Sequence, residues 1–174
     1  MEADTLPSTA EVWDWLGQVP DPEIPVISLT DLGIVRNVEW ENDTLVVTVT
    51  PTYSGCPATA VINLDIEMAL RARGVENIRL KRQLSPPWTT DWISGQGREK
   101  LRAYGIAPPI DGTAADGRLA GRIGKLAGTS KLTIACPRCG SAQTKKVSQF
   151  GSTPCKASYR CQECMEPFDY FKCI

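Results

Sequence analysis

The pattern of apolar and polar positions predicts a small α/β domain in the first half of the chain. Apolar residues recur at helical spacing in two segments and alternate with polar residues in three others. In chain order, the predicted elements are a helix at 8–19, strands at 33–40 and 44–50, a helix at 58–73 and a strand at 77–84. The order α-β-β-α-β indicates the α+β class, a small α/β sandwich with helices packed on a mixed sheet.

The helix predicted at 58–73 is apolar over much of its circumference. Val61, Leu64 and Met68 lie on one side, and further apolar residues such as Ile62 and Ile66 lie around it. We expect one face to pack inside the domain and the other to meet a second surface. A homodimer is one arrangement that would use this second face.

Composition divides the chain into two modules joined by a linker. Residues 108–131 are rich in glycine, alanine and isolated charges and have few large apolar side chains, which is typical of a linker. The predicted domains are therefore 8–107, which closes with a short helix ending near Tyr104, and 132–174, a zinc-ribbon-like β module. Alternating aromatic residues from Phe168 onwards predict a closing strand in that module.

Four cysteines in the tail form the most specific motif of the sequence. Cys136 and Cys139 make one Cys-x-x-Cys knuckle, Cys161 and Cys164 make a second one, and 21 residues separate the two. This spacing allows four thiolates to converge tetrahedrally on one metal ion. A module of about 43 residues is too small for a sufficient core, so metal binding would supply much of its folding free energy. Zinc is the expected structural metal, and rubredoxin-like iron would accept the same sulfur ligands.

Two further tail cysteines, Cys155 and Cys173, lie outside the knuckles. We interpret them as buried thiols; the alternative is that they serve as auxiliary metal ligands or as a redox pair. The chain has 7 cysteines but lacks a basic segment followed by an apolar core at its start. We therefore expect thiol or metal chemistry in the cytoplasm rather than a disulfide framework. No apolar stretch is long enough to predict a membrane span.

The remaining cysteine, Cys56, lies between the second predicted strand and the second predicted helix. Pro57 suits the first position of a helix, which would place Cys56 at about the N-cap, beneath unpaired backbone N–H groups. That position would favour the thiolate, the form that attacks electrophiles and binds metals. The alternative interpretation is that Cys56 is a small buried residue in a tight loop.

The absence of histidine narrows the possible chemistry. It excludes Ser-His-Asp and Cys-His catalysis, Glu-x-x-His di-iron sites and histidine-ligated haem in this chain. The net charge is −1, but residues 1–110 carry 9 basic and 15 acidic side chains, whereas residues 111–174 carry 10 and 5. An acidic front and a basic tail indicate either two modules with different partners or two ordinary solvated surfaces.

Several motifs resemble known families. The chain is similar to the small α/β domain of iron–sulfur maturation factors at DPEIPV (21–26), DLGIV (31–35) and TPTYSGCP (50–57). Four further segments narrow the resemblance to the D subunits of bacterial phenylacetyl-coenzyme A epoxidase systems. They are WTTDW at 88–92 and the tail segments at 150–156, 159–161 and 168–174. The resemblance extends from Val12 to Ile174, with the linker at 108–130 outside it.

That resemblance implies a non-catalytic accessory subunit in phenylacetate catabolism, which acts in iron–sulfur cluster assembly, transfer or repair. In such systems, other subunits carry the di-iron centre of the ring 1,2-epoxidase, and a reductase carries the flavin and a ferredoxin-type cluster. Its partners would be the oxygenase and reductase subunits. Carried over by motif, Cys56 would contact a transiently bound iron–sulfur cluster. The residues that would line its pocket are Asp21, Glu23, Asp31 and Thr52.

Other functions stay open beside that implied role. A docking adaptor between oxygenase and reductase, in which the metal has only a structural role, would handle no cluster. Its binding to these subunits would survive the loss of Cys56. A nucleic-acid-binding zinc ribbon is the least favoured function, because the positive charge of the tail is modest and the protein as a whole is acidic. Since iron–sulfur clusters usually take four thiolates, a second protomer, the tail thiols or a partner subunit would have to complete the ligands around Cys56.

Overall fold

The computed structural model describes residues 6–110 and 133–172, and its backbone contacts divide the chain into two units, Met1–Trp88 and Thr89–Ile174. The elements of the first unit are α1 (Thr9–Leu16), β1 (Val35–Glu41), β2 (Thr44–Val49), α2 (Thr59–Arg71) and β3 (Ile78–Arg82). Their order is the predicted α-β-β-α-β. The α+β fold class expected from the hydrophobic pattern is therefore confirmed.

Helix α1 begins with a capping box and ends earlier than the pattern predicts. The hydroxyl of Ser8 accepts a hydrogen bond from the backbone N–H of Glu11, whose carboxylate accepts one from the N–H of Ser8. This reciprocal pairing satisfies two helix-end donors. The helix ends at Leu16 with Gly17 as its C-cap. The apolar period extends to Val19, but the N–H of Val19 already bonds the carbonyl of Leu16 in a tighter turn.

The sheet of the first unit is mixed, with β2 at its centre. β2 pairs antiparallel with β1 and parallel with β3, so that Val47 faces Val38 on one side and Leu80 on the other. Every residue of β2 after Thr44 is buried. A central strand is hydrogen-bonded along both edges and packed on both faces. This is why the segment is an almost continuous apolar run.

Helix α2 packs one face into the core and leaves the opposite face accessible. Ile62, Ile66 and Leu70 are buried, whereas Leu64 and Met68 keep more than half of their surface exposed (56% and 59%). The one-sided burial expected for this helix is thus present. Large apolar side chains left on the other face mark a surface that could contact another molecule.

The second unit begins with a short 3-10 helix, Thr90–Trp92, which is followed by α3 (Gly95–Tyr104). Ser94 caps α3 at its start, and Gly105, with a φ of 97°, ends it. Left-handed backbone of this kind favours glycine after a helix. A four-stranded sheet follows, with strand order β4-β7-β6-β5. Its strands are β4 (Ile106–Ala107), β5 (Thr144–Ser148), β6 (Lys156–Cys161) and β7 (Pro167–Phe171). The closing aromatic strand expected near Phe168 is β7.

The structure groups residues 89–107 with the second unit, whereas the sequence pattern placed the domain boundary at 107. The physical reason is that β4 pairs in parallel with β7, so that Ile106 faces Asp169 across the sheet. Ala107 also packs in the same apolar cluster as Ile134 and Phe168. A strand of two residues that pairs about 60 positions away leaves no periodic signal in the local sequence.

The predicted linker at 108–131 lies outside the described residues except for its first three positions. Within residues 6–110 and 133–172, the structure contains no helix that is both long and apolar enough to cross a membrane.

The two faces of α2 allow a matched stability test. We expect Ile66→Ala to lower the free energy of unfolding by about 2–5 kcal/mol, because the side chain is fully buried and its removal leaves a cavity. Leu64→Ala, on the exposed face of the same helix, should change it by less than about 0.5 kcal/mol. Urea denaturation followed by circular dichroism measures both. Equal losses for the two variants would contradict the placement of the core.

Candidate metal centre and cysteine loop

The first knuckle is shaped by a tight turn after the buried Ile134. The carbonyl of Cys136 accepts a hydrogen bond from the N–H of Gly140, at 2.9 Å, and the N–H of Cys136 donates to the carbonyl of Ser141. Gly140 adopts a φ of 76°, a left-handed conformation that a residue with a Cβ adopts only with strain. The turn brings the thiols of Cys136 and Cys139 to the same side of the chain.

The second knuckle follows directly from β6. Cys161 is the last residue of that strand, and its N–H donates to the carbonyl of Glu166 at 3.0 Å, which closes the loop around Cys164. Met165 completes this loop with a φ of 63°. Because β5 pairs with β6, Thr144 lies opposite Cys161. The first knuckle, which directly precedes β5, is therefore close to the second knuckle, which follows β6.

The four thiols of the knuckles form one cluster. Their sulfur atoms all lie within 4.8 Å of one another, with Sγ–Sγ distances of 3.7 Å for Cys136 and Cys164 and 3.6 Å for Cys139 and Cys161. Zinc–thiolate bonds of about 2.3 Å in a tetrahedron place sulfur atoms roughly 3.8 Å apart. The predicted set of Cys136, Cys139, Cys161 and Cys164 is therefore brought together with the spacing that a tetrahedral metal site requires.

Local backbone donors make one of these thiols acidic. The backbone N–H of Cys164, with a further contribution from that of Glu163, lowers the pKa of Cys161 to about 7 against the opposing effect of burial. Hydrogen bonds to a thiolate favour the charged form, and the thiolate is the form that ligates metals. The pKa of Cys164 moves in the opposite direction: the N–H of Glu166 lowers it, but burial and the neighbouring thiols together raise it to about 12. The loop thus favours the thiolate at Cys161 alone of these two.

The ligand set and the apolar core of the second unit share residues. Cys136 and Cys161 are buried in a cluster with Ala107, Ile134 and two aromatic residues of β7, Phe168 and Tyr170. Cys139 and Cys164 lie on the exposed side. A structural metal held by all four would join the two knuckles and secure the edge of this small core.

Cys155 is separate from the four clustered thiols. It is buried, and its sulfur lies 3.0 Å from the hydroxyl of Thr153 in the loop before β6. This matches the interpretation of Cys155 as a buried thiol. The other predicted auxiliary residue, Cys173, lies outside the described residues.

The loop between β2 and α2 holds Cys56 half-exposed through backbone contacts. Its N–H donates to the carbonyl of Tyr53 at 3.1 Å, and its own carbonyl accepts from both the N–H and the hydroxyl of Thr59. The guanidinium of Arg82, at the end of β3, donates to the carbonyl of Ser54 at 2.7 Å. Sequence reasoning did not single out Arg82, because no local pattern reveals a contact between positions 54 and 82.

The expected position of Cys56 at the helix N-cap is wrong. The N-cap is Ala58, α2 begins at Thr59, and Pro57 precedes the helix instead of opening it. Turns at 53–56 and 56–59 lie between the strand and the helix, and apolar periodicity does not resolve such turns from a first helical turn. Since the dipole effect is confined to the first turn, the N-cap argument for a thiolate at Cys56 no longer stands.

Among the other residues predicted around Cys56, Thr52 lies in the same loop as Cys56, and the rest lie in the loop between α1 and β1, namely Asp21, Glu23 and Asp31. Asp21 is buried, and its Oδ1 accepts from the N–H groups of Glu23 and Ile24 at 2.9 and 2.8 Å. The N–H of the buried Asp31 donates to the hydroxyl of Ser28 at 3.1 Å. Asp21 therefore shapes its own turn, as Asx residues commonly do. A ligand-binding role for Asp21, Glu23, Asp31 and Thr52 stays a prediction.

Thr50, at the start of the loop that contains Cys56, adds an unusual feature. Its Oγ1 is buried without a hydrogen-bond partner among the described residues, and Thr52, two positions later, is also buried. Buried hydroxyls are usually paired, because an unpaired one keeps the cost of its lost hydration. The sequence motif that contains Cys56 thus also contains a buried hydroxyl oxygen that has no hydrogen-bond partner among the described residues.

Comparison with known proteins agrees with both units. A family model described as iron–sulfur cluster assembly protein matches residues 9–79, and one described as PaaD zinc beta ribbon domain matches residues 123–172. The chain is 48% identical over 168 residues to an Escherichia coli (strain K12) protein that is provisionally named as the D subunit of 1,2-phenylacetyl-CoA epoxidase; the match covers 97% of this chain and 94% of that protein. This chain belongs to the epoxidase D-subunit family.

Other relatives of this D-subunit family member match just over half of its length. A Porphyromonas gingivalis protein named Fe-S protein maturation auxiliary factor is 33% identical over 103 residues, which cover 58% of this chain and 97% of that protein. A solved structure of a domain of unknown function (DUF59) from Bacillus anthracis is 29% identical, with a TM-score of 0.48, over 53% of this chain and 89% of that one. The two family models and the sequence identities confirm the sequence-based resemblance to both families.

Substitution of one knuckle cysteine tests the metal centre. We expect Cys161→Ser to lose the tightly bound metal and to expose the second unit to proteolysis, because three thiolates hold zinc far less well and the small core depends on the metal. Metal analysis of the purified full chain, with limited proteolysis, measures both effects.

Cys155→Ser provides the matched control for this experiment, since Cys155 is also buried but lies outside the cluster. It should keep the metal content of the native chain. Loss of metal in both variants, or in neither, would contradict the assigned ligand set.

Proposed function

We propose that this chain is a non-catalytic accessory subunit of a phenylacetyl-CoA epoxidase system that assists iron–sulfur cluster assembly, transfer or repair for the oxygenase or reductase subunits. Membership of the D-subunit family supports the epoxidase context. The match of residues 9–79 to an iron–sulfur cluster assembly model, together with the relative named as a maturation factor, supports the cluster-handling role.

The observation that carries the proposal is that Cys56, in the loop between β2 and α2, is a partly exposed free cysteine. Cys56 makes hydrogen bonds with the described residues only through its backbone. Its sulfur is therefore available to ligate iron. The unpaired Oγ1 of Thr50 lies in the same motif. In the proposed function the cluster is cargo, and Cys56 is its contact thiol.

One thiol per chain makes the proposed contact transient. A cluster usually takes four thiolates, so Cys56 would share it with a second protomer or with a cysteine-bearing partner subunit. A shared cluster can be passed on, because exchange of thiolate ligands moves it without a free intermediate. The knuckle metal of the second unit has a separate, structural role in this proposal, with zinc as the expected ion.

Cluster loading of the purified chain tests this function. After anaerobic reconstitution, we expect the native chain to hold labile iron and acid-labile sulfide, and Cys56→Ala to hold little of either, while about one tightly bound zinc per chain stays in both proteins. Iron, sulfide and zinc analysis with a visible absorption spectrum measures the difference.

Cys155→Ala is the control for the loading experiment, because it removes a thiol of the second unit outside both candidate sites. It should load as the native chain does. If the native chain takes up no labile iron, or if Cys56→Ala retains it, the cluster-carrying role is wrong.

A docking adaptor is the second candidate function, and the exposed apolar face of α2 favours it. Val61, Leu64 and Met68 are spaced along one side of the helix, each at least 46% exposed. Aligned apolar anchors on a helix are a recurrent mode of protein recognition. As an adaptor, the chain would bind an oxygenase or reductase subunit through this face without handling a cluster.

Substitutions on the exposed face of α2 and at Cys56 distinguish the adaptor function from the cluster-handling function. For an adaptor, we expect Leu64→Asp to weaken co-purification with the oxygenase or reductase by at least about tenfold, because a charge would be buried at the contact. Cys56→Ala should leave that binding unchanged. Pull-down of the co-expressed subunits measures both, and Leu84→Asp, which alters an exposed apolar residue outside α2, is the control. Binding unaffected by Leu64→Asp would contradict a role for this face.

A further inference from the structure

A cleft lies on one face of the four-stranded sheet of the second unit. By strand alternation this is also the face of Cys161, but none of the four clustered thiols lines the cleft. Its volume is about 890 Å³, within the range that small-molecule sites usually occupy. The residues of its lining that matter here are Lys146, Gln149, Tyr159, Gln162, Tyr170 and Lys172. Neither the metal centre nor the Cys56 loop accounts for this cleft.

Strand register places the aromatic and basic residues on the same face. Lys146 of β5 lies opposite Tyr159 of β6, and Tyr170 of β7 lies opposite Ala157 of β6. Successive side chains of a strand alternate between faces, so Lys172, two residues beyond Tyr170, continues this face. Tyr159 packs edge-on against Tyr170 with ring centroids 5.8 Å apart. The cleft therefore has an aromatic floor with ammonium groups at its side.

The two ammonium groups meet at one residue. Nζ of Lys146 donates to the side-chain Oε1 of Gln149 at 2.9 Å, and Nζ of Lys172 donates to the backbone carbonyl of Gln149 at 3.1 Å. Both partners are neutral. Within residues 6–110 and 133–172, neither lysine forms an ion pair with a carboxylate. The carboxylate of Asp169 pairs instead with Lys156, at 3.6 Å, on the opposite face of the sheet.

Protection of the sheet edge does not explain this arrangement. β5 is an edge strand, and lysines on an edge strand commonly prevent pairing with other chains. That reason covers Lys146, but Lys172 follows β7, which lies between β4 and β6. The ammonium of Lys172 also lies over the ring of Phe150, 4.5 Å from its centroid. No carboxylate of the described residues neutralises either lysine, and two such charges beside aromatic rings fit an anionic ligand that also has a flat ring.

We propose that this cleft binds the nucleoside diphosphate moiety that adenine nucleotides and coenzyme A share. The phosphates would contact Lys146 and Lys172, and the base would pack against the exposed part of Tyr159. Gln162 carries both a donor and an acceptor, which suits the edge of a base. This site goes beyond the proposed function at Cys56 and does not depend on it.

Calorimetric titration of the zinc-loaded full chain with ADP, ATP and coenzyme A tests the proposal. We expect saturable binding that weakens as salt rises, because charged contacts are screened. Lys146→Gln and Lys172→Gln should each weaken binding by about tenfold or more, since each removes a hydrogen bond to a charged group. Preference for coenzyme A or for the nucleotides would identify the source of the shared moiety, and either supports the proposal.

Gln149→Glu is the sharpest variant, because it changes one polar atom on an exposed residue. It would place a carboxylate within reach of both ammonium groups and should weaken binding by at least about tenfold. Arg160→Gln is the matched control, since Arg160 is also basic and adjoins Tyr159, but bonds the carbonyl of Met165 and does not line the cleft. It should bind as the native chain does, and all variants should keep their zinc.

Several results would overturn the proposal. One is the absence of saturable binding to all three probes, and another is an equal loss with Arg160→Gln. Tripolyphosphate binding as tightly as ADP would show a general anion surface without recognition of the base. Tighter binding of a glutamate-rich peptide, with the same dependence on Lys146 and Lys172, would show that the cleft receives an acidic protein segment instead.

Discussion

The convergence of four thiols is the constraint on which the second unit depends. Its sheet has four strands, one of only two residues, and a domain of this size buries little apolar surface for each residue that it orders. Cys136 and Cys161 belong both to the ligand set and to the apolar cluster with Phe168 and Tyr170. The distance between the knuckles and the packing of the strands are therefore set together, and a metal ion at the cluster would stabilise both.

The first unit needs no such staple, because it has a conventional core. Its central strand is buried on both faces, and α1 and α2 contribute fully buried side chains such as Leu16, Ile66 and Leu70. A rigid scaffold of this kind can hold an accessible loop at the end of a strand. Cys56 lies in such a loop, held by the backbone contacts of Tyr53 and Thr59, so that its sulfur need take no part in holding the loop.

The cysteines of the two units thus differ in the chemistry that they allow. In the tail, thiols lie close enough to share a metal ion, and local N–H groups lower the pKa of Cys161 to about 7. In the front domain, a lone thiol lies in an accessible loop. Closed four-thiolate sites hold metal for structure, whereas an incomplete ligand set can only share a cluster with another molecule. In the proposed function, this contrast is why the knuckle metal is resident and an iron–sulfur cluster would be cargo.

The sequence by itself determined the features that depend on short-range patterns. Periodicity predicted the order α-β-β-α-β and that α2 would bury one of its apolar faces, and the spacing within and between the knuckles predicted the four-thiol cluster. Only the tertiary structure decided the rest. The pairing of β4 with β7, the contact of Arg82 with Ser54 and the meeting of Lys146 with Lys172 at Gln149 join residues across strands or distant turns. The start of α2 at Thr59 depended on two successive turns that apolar spacing does not distinguish from helix. Local propensity and periodicity carry no information on such contacts, because these form only when separate segments of the chain fold together.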